Sequence, residues 1–586
     1  TYNKKSEFTF ENFNIPDNAL IQDIYIILRL RDSLGSTVWK AQVSRDGGLT
    51  YSDSSCGNNC LFYASTSFNT LIPPGGGWNI QVPFYIFDPN PVTGKDINSS
   101  QLRLRITNVY PQLSSVDIDK VAFYIQYYIS EDAPTPTPAP AKTPLILIPG
   151  IAGSELKSNQ TFTSSIKDCG ILPEFTYNTN DIVWVNTVVA LASPCDDYFD
   201  VLKLKTDGQI PDYPQVALNG TFLQRFYGDF IKFFTDNGYE LNKNLFLFPY
   251  DWRLDVSGTA SLLDQEIQSV KTQTGNQKVD IVAHSMGGLV ARNYIADAAR
   301  ALNVRKLFTL GTPHLGAVKF LKTLKYGDCL ALEFGPLCLS INPLEAKDVI
   351  QNMISGYELA PSQAYFNFYS GENSNYPYPY KTELGALNYT QIKNLLTGLN
   401  FNTPLFNPSE TFHTLDNSLS NTNGVNVTLI AGSGQKTLGQ IVEEKRISLL
   451  GISYVHKDMV NINGDGTVPL FSASLNDPSK NKSFLGNAKV FYTKQDHGGL
   501  VSSGPTLNLV KNILNNNSQL PDGVSLQPYH FGGIGLSVHS PVSIHVYDSE
   551  NRHTGPTSNG DSEANIPGSF YDTLGDAKFI YLSDDG

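Results

Sequence analysis

A serine, an aspartate and a histidine stand in one order along this chain, at positions 285, 465 and 497. Ser285 interrupts "IVAHSMGGLV" (281–290), an apolar run that breaks at His284-Ser285 and resumes after two glycines. A serine hydroxyl becomes a nucleophile only when a base takes its proton, and the base needs an acid to orient it. Asp465 lies in "NINGDGTVPLFSA" (461–473), where a turn can aim a carboxylate inward. His497 lies in "TKQDHGGLV" (493–501), heading a Gly-Gly loop after a strand and before the last helix of the central region. The competing histidines are placed less well. His284 and His314 belong to other motifs, and His413 and His456 lie in or near an inserted segment. His530, His539, His545 and His553 fall in the terminal region. The same serine could instead be an ordinary helix N-cap. An oxyanion hole tests the nucleophile reading, because acyl transfer needs two backbone N–H groups aimed at the developing charge. Met286, the residue after the serine, offers one. Ala152, in the Gly-rich turn of "PLILIPGIAGSEL" (144–156), is the candidate for the other.

These residues need elements to hold them. "KVDIVAHS" reads as a buried strand and "MGGLVARNYIADAARAL" as a helix, so Ser285 sits on a tight strand-to-helix turn. Gly287 and Gly288 permit the close packing that such a turn demands. The pentapeptide Ala-His-Ser-Met-Gly is a G-x-S-x-G motif with Ala283 in place of the first glycine. "PLILIPG", "LFLFPYD", "VRKLFTLGTP", "VNVTLIAGSG" and "NAKVFYTKQ" read as further buried parallel strands, and "SLLDQEIQSVKTQ" as a helix, the alternation of an α/β fold.

The Pro-Thr-Ala segment "EDAPTPTPAPAKTP" (131–144) cannot build a core and reads as an extended linker. Before it, alternating segments such as "ALIQDIYIILRLRDS" and "WNIQVPFYIF" read as an antiparallel, jelly-roll-like β-sandwich over residues 1–130. Tyr51, Phe62, Tyr63 and Trp78 there could form an aromatic binding face or simply fill the core. After the linker, residues 144–518 form the catalytic region, with a lid insertion at about 155–240 and a cap at about 317–424. Strand texture returns over 519–586 as a small β-rich C-terminal domain.

With 586 residues the chain is too long for one core. Its net charge of −13 gives no electrostatic reason to bind nucleic acid or anionic lipid. No apolar run approaches the ~18 residues that a membrane span needs. The chain opens at Thr1, which reads as the product of removing a leader or a longer N-terminus. Cys56 and Cys60, Cys169 and Cys195, and Cys329 and Cys338 fall into three close pairs along the chain. Six thiols allow 15 pairings; nearest-neighbour bridging is the simplest, and it implies an oxidising, extracellular setting. Free buried thiols are the alternative. Zinc-type spacing is missing, so neither a metal nor a cofactor is expected.

Taken together, "PLILIPGIAGSEL", "PYDWR" (249–253), "AHSMGG", "GTPHLG", "GDGTVP" and "DHGGL" occur in an order that resembles the lecithin:cholesterol acyltransferase (LCAT) family, which is similar to the lysosomal phospholipases A2. The resemblance covers roughly residues 142–516. It implies an α/β-hydrolase core with lid and cap insertions, flanked here by β-domains. It also implies an acyl-serine mechanism with Ser285 as nucleophile, Asp465 as acid and His497 as base, and supports Ala152 and Met286 as oxyanion donors. Cys169–Cys195 around Trp184 looks like that family's disulfide-closed lid, with the indole meeting lipid; a core role for Trp184 stays open. Trp252 and Arg253 read as structural. The expected function is a secreted esterase or lipase acting on lipid or other insoluble esters, with a lipid or polymer surface as partner. An acyltransferase, or a surface adhesion protein with an inactive hydrolase core, are the competing expectations.

Overall fold

Two faces must be covered before "LILI" and "VDIVAH" can be strands, because every residue in both is apolar or fully buried. A sheet with helices on both sides meets that demand. In the computed structural model these runs are neighbours in a seven-stranded sheet, in the spatial order Leu245–Leu247, Leu145–Ile148, Val279–His284, Val304–Leu310, Asn426–Gly432, Lys489–Thr493, Val524–Ser525. All pairings are parallel except the last, which is antiparallel. In residues 1–141 the structure describes only seven strands: Lys5–Phe10, Ala19–Asp32, Trp39–Ser44, Ser67–Phe68, Gly77–Phe84, Leu102–Asn108 and Val116–Ile129. From Lys142 it describes every residue except 166–173, 185–196, 223, 329–332, 335–336, 339–342, 370–376, 448–452, 478–481, 540–541, 558–561 and 585–586.

The chain divides into two units, Thr1–Ala141 and Lys142–Gly586. In the first, the strands form two antiparallel sheets of four and three strands. Ala19–Asp32 pairs along its length with Val116–Ile129, with register shifts at Ile21/Asp23 and Arg29/Leu30. Tyr51, Phe62, Tyr63, Cys56 and Cys60 lie outside the described residues.

In the second unit the two-residue period of the strands sorts their side chains. Leu145, Leu147, Val282, Phe308 and Ile430 share one buried cluster with Phe230 and Phe234 of helix Gln224–Asp236 and with Leu507 and Val510 of helix Gly504–Leu514. Ile146, Ile148, Ile281 and Leu307 join the opposite cluster, with Leu263 and Ile267 of helix Val256–Thr274 and Leu289 of helix Met286–Ala296. Helix Val256–Thr274 starts where the Asp255 carboxylate accepts the Gly258 N–H. The helix read as one piece from 286 to 302 breaks at Asp297, whose extended backbone caps a second short helix, Ala298–Ala301.

The segment expected to be a lid, about 155–240, contributes largely to the core. Strands Ser154–Ser158, Ile182–Trp184 and Val216–Phe222 form a small antiparallel sheet, and helix Gln224–Asp236 backs the main sheet. The aromatic-rich segment 317–424 folds as short helices whose rings pack on each other: Tyr357 lies 5.1 Å from Phe406 and 5.7 Å from Phe320. Between the sheet strands Asn426–Gly432 and Lys489–Thr493 the chain forms a long antiparallel hairpin, Gln435–Ile447 with Ser453–Gly464, joined in parallel by Tyr380–Thr382. That hairpin delivers Asp465. Beyond the main sheet, two three-stranded sheets complete the C-terminal region. Asp572 there pairs with Lys322 and Lys436, and Asp576 with Lys457. Among the described residues no helix is long and apolar enough to cross a membrane.

Candidate active site

Strand Val279–His284 turns into helix Met286–Ala296 through a single residue, Ser285, at φ 53° and ψ −125°. A non-glycine residue in that region costs of order 1–3 kcal/mol and persists only where its surroundings over-determine it. Here the Ser285 N–H donates to Leu310 O (2.8 Å) and its carbonyl accepts from Gly288 N (2.9 Å). The side chain caps nothing. Instead Ser285 Oγ lies 2.9 Å from His497 Nε2. The capping role left open by the sequence is therefore not the one Ser285 plays.

His497 Nδ1 lies 2.8 Å from Asp465 Oδ2. A carboxylate can only accept, so Nδ1 carries the proton and Nε2 is left as the acceptor for the serine hydroxyl. Asp465 is 1 % exposed. Its second oxygen accepts the N–H groups of Thr467 (3.0 Å) and Val468 (2.6 Å), and its carbonyl accepts the N–H of His497 (2.8 Å). The turn after the long hairpin thus fixes Asp465 and the His497 loop together.

The turn after strand Leu145–Ile148 is built against this elbow. A Cβ at Gly287 would stand 2.4 Å from Pro149 O, and one at Gly150 would stand 2.8 Å from Ser285 Cβ, so side chains at either position would force the two segments apart. Gly153 N–H closes the turn on Gly150 O (3.1 Å), and Ala152 holds φ at 60°. Four buried aromatics pin its polar groups. Tyr227 Oη accepts from Gly150 N (2.8 Å), and Tyr250 Oη donates to Pro149 O (2.9 Å). The indole N–H groups of Trp184 and Trp252 donate to Ala152 O (2.7 Å) and Ser154 O (3.2 Å). Burial raises the pKa of both phenols, so they stay protonated donors at neutral pH. Met286 opens its helix, and a first-turn N–H has no partner within the helix.

The LCAT family, described as lecithin:cholesterol acyltransferase, matches residues 212–364. That stretch holds Ser285 and stops short of Asp465 and His497. Phospholipase A(1) LCAT3 of Arabidopsis thaliana is 27% identical over 192 residues, 30% of this chain and 42% of that protein. The chain is LCAT-like over residues 212–364. An uncharacterized protein of Saccharomyces cerevisiae is 34% identical over 85 residues, 14% of this chain and 13% of its own. This chain therefore spans less than half the length of either curated relative. Among solved structures, the Tle4–Tli4 complex aligns at 14% identity over 65% of this chain and 99% of its own, with TM-score 0.38. The mature form of Bacillus licheniformis lipase BlEst2 aligns at 14% identity over 65% and 96%, with TM-score 0.27.

In this LCAT-like core, the structure brings Ser285, Asp465 and His497 into one hydrogen-bonded series and sets Ala152 and Met286 on the two segments beside the serine. Trp184 is corrected. It does not stand on an exposed lid: it is wholly buried, edge-on to Trp252 (5.3 Å) and Phe199 (5.7 Å). A ring that fills the core and spends its one donor on Ala152 O has no face left for lipid. Cys169, Cys195 and Cys329 lie outside the described residues, and of Cys338 only the strand backbone is described. The three expected disulfides therefore stay expectations. "PYDWR" proves informative in a way its sequence did not announce. Tyr250 and Trp252 hold the turn, while buried Arg253 donates to Asp251, Leu202 O and Val216 O. Tyr227 gave no signal in sequence at all. His314 is buried beside Arg292, and burial first and that cation second push it down to about 3.

Proposed function

We propose that this protein is a secreted serine ester hydrolase acting on lipid or other insoluble esters through an acyl-serine intermediate. The observation that carries the reading is the unbroken series Ser285 Oγ, His497, Asp465, at 2.9 and 2.8 Å, on a serine held at positive φ. In the first step His497 Nε2 takes the hydroxyl proton as Oγ attacks the ester carbonyl. Asp465 holds the imidazole tautomer and stabilises the imidazolium that forms. The tetrahedral oxygen is bound by the Met286 and Ala152 N–H groups; one such donor contributes about 3 kcal/mol. Collapse expels the alcohol, which receives the proton from His497. Water then attacks the acyl-serine with His497 as base, and the fatty acid leaves.

The lipid class of substrate is supported by the LCAT family match and by the phospholipase A(1) relative. The paired spacing of the cysteines and the Pro-Thr linker support secretion, and the two antiparallel sheets of the first unit support reading it as an accessory sandwich. Acyl transfer to a lipid alcohol uses the same intermediate and is the second reading, favoured by the family that matches.

A fluorophosphonate probe tests the proposal directly. It is expected to label Ser285 in the wild type and to leave Ser285→Ala untouched. Turnover of p-nitrophenyl esters by folded Ser285→Ala protein would sink it. Long-chain alcohol added to the wild-type assay separates the two readings by whether fatty acid or ester accumulates.

A further inference from the structure

We infer that Tyr227 and His284 are positioning residues that tie the oxyanion turn to the loop carrying the base. The inference rests on the hydrolase reading of the same site. His284 is the last residue of the nucleophile strand and points away from the serine's chemistry: neither of its nitrogens touches Ser285 Oγ or Asp465. Its Nε2 lies 3.0 Å from the backbone carbonyl of His497, and its Nδ1 lies 3.0 Å from Tyr227 Oη. Tyr227 Oη in turn takes the Gly150 N–H at 2.8 Å.

The chemistry of these groups fixes the direction of the chain. A carbonyl only accepts, so the His284 proton sits on Nε2. Nδ1 is then an acceptor and takes the Tyr227 hydroxyl hydrogen. The tyrosine oxygen, having donated once, accepts from Gly150. Each member donates once along the line, and no buried polar atom in it is left over, as a fully satisfied network requires. His284 is 8 % exposed and Tyr227 is 2 % exposed, so water does not compete. Burial, and then the neighbouring His497, push the His284 imidazole down to about 3, which keeps it neutral through the working range of such an enzyme. The two histidine rings lie 5.0 Å apart at 40°, without a hydrogen bond between them.

The consequence is geometric. His497 is held by Asp465 at its ring and at its N–H, and by His284 at its carbonyl. Its backbone is thereby tied to the same strand end that presents Ser285 and, through Tyr227, to the turn two residues before Ala152. Nucleophile, base and oxyanion turn share one hydrogen-bonded frame. Loss of the His284 bond frees the base loop without touching substrate, so it should slow chemistry and spare binding.

The experiment uses the full chain, wild type and His284→Phe, His284→Gln and Tyr227→Phe. Fluorophosphonate labelling gives two numbers, the fraction of protein labelled at completion and the rate of reaching it. A role confined to stability lowers the fraction. The positioning role slows the rate, with kcat on p-nitrophenyl butyrate falling roughly tenfold to hundredfold in His284→Phe while KM holds. Glutamine can still donate to the His497 carbonyl, so His284→Gln should recover much of the rate. Tyr227→Phe should fall between the two. Histidine-selective 15N spectra of the wild type should show His284 protonated on Nε2. Unchanged rates in all three variants, or an Nδ1-protonated His284, would overturn the inference alone. A wild type that takes up no probe would overturn the hydrolase reading and this inference with it.

Discussion

Two parts of the second unit are held by opposite means. The turn from Pro149 to Ser154 is fixed by neutral hydrogen bonds, one accepted by Tyr227 and the others donated by Tyr250, Trp184 and Trp252, all buried. The C-terminal sheets are fixed by charge: Asp572 on Lys322 and Lys436, Asp576 on Lys457. Neutral partners hold geometry without a charge at neutral pH, since burial raises both phenols further above their ordinary value. Ion pairs hold a domain in place and answer to pH, and where exposed also to salt. Lys322 stays charged against its burial because Asp328 and Asp572 outweigh the desolvation.

Acid is the broadest way to break the comparison. His284 and His314 both have folded pKa values near 3, against 6.5 for an ordinary histidine. The unfolded chain therefore binds protons that the native state refuses. Stability is fully present above about 6.5 and is lost as pH falls toward 3, at up to about 1.4 kcal/mol per pH unit for each histidine. Asp572 follows at lower pH. Burial alone would raise its pKa, but Lys322 and Lys436 outweigh that and hold it below the usual carboxylate range. Its share of stability is present above about 4 and is lost below. Denaturant midpoints measured from pH 7 to pH 3 should fall throughout, with no plateau at pH 5–6; a plateau there would mean that the two histidines are protonated in the native state.

Trp184→Ala should cost about 3–5 kcal/mol of unfolding free energy, as other large core truncations do. Its activity should fall equally on p-nitrophenyl butyrate and on emulsified lipid. A loss confined to emulsions would return the indole to the lipid interface. Asp572→Ala leaves Lys322 buried beside Asp328 without its second partner, and breaking such a buried pair costs about 3–5 kcal/mol or less where another carboxylate remains. The loss should appear in unfolding curves while the labelling rate of Ser285 is unchanged, separating the ionic part from the Ser285 site.

Trp184→Phe sharpens the contrast further. It keeps most of the packing and deletes only the donor to Ala152 O, so about 1–2 kcal/mol should be lost from stability and the labelling rate should drop as well. Lys457→Ala is the smallest change: its partner Asp576 has a side chain 70% exposed, and such pairs contribute ~0–1 kcal/mol. Its unfolding midpoint should be indistinguishable from wild type in 0.5 M salt.

The sequence disclosed what repeats locally. Six buried runs announced the parallel strands because an α/β sheet leaves them no polar face, and the strand-Ser-helix junction announced its own elbow. Asp465 and His497 were legible through order and turn residues. What failed depended on partners far along the chain. Nothing local in "DIVWVN" says whether Trp184 faces water or Trp252. The hairpin from Gln435 to Gly464 escaped notice because one half of each strand is buried and the other exposed, which erases any simple period. His284 was set aside as a rival base, when its two nitrogens are already taken by Tyr227 and a carbonyl.

Ser285 and His497 are 212 residues apart in the chain. A ribosome making about 5–20 residues per second needs roughly 10–40 s to cover that distance. On the proposed reading, the nascent chain has its nucleophile and not its base throughout that interval. The same reading makes any prematurely terminated product that ends before His497 silent. On the proposed hydrolase reading, no ester can be attacked until the chain has been made through His497.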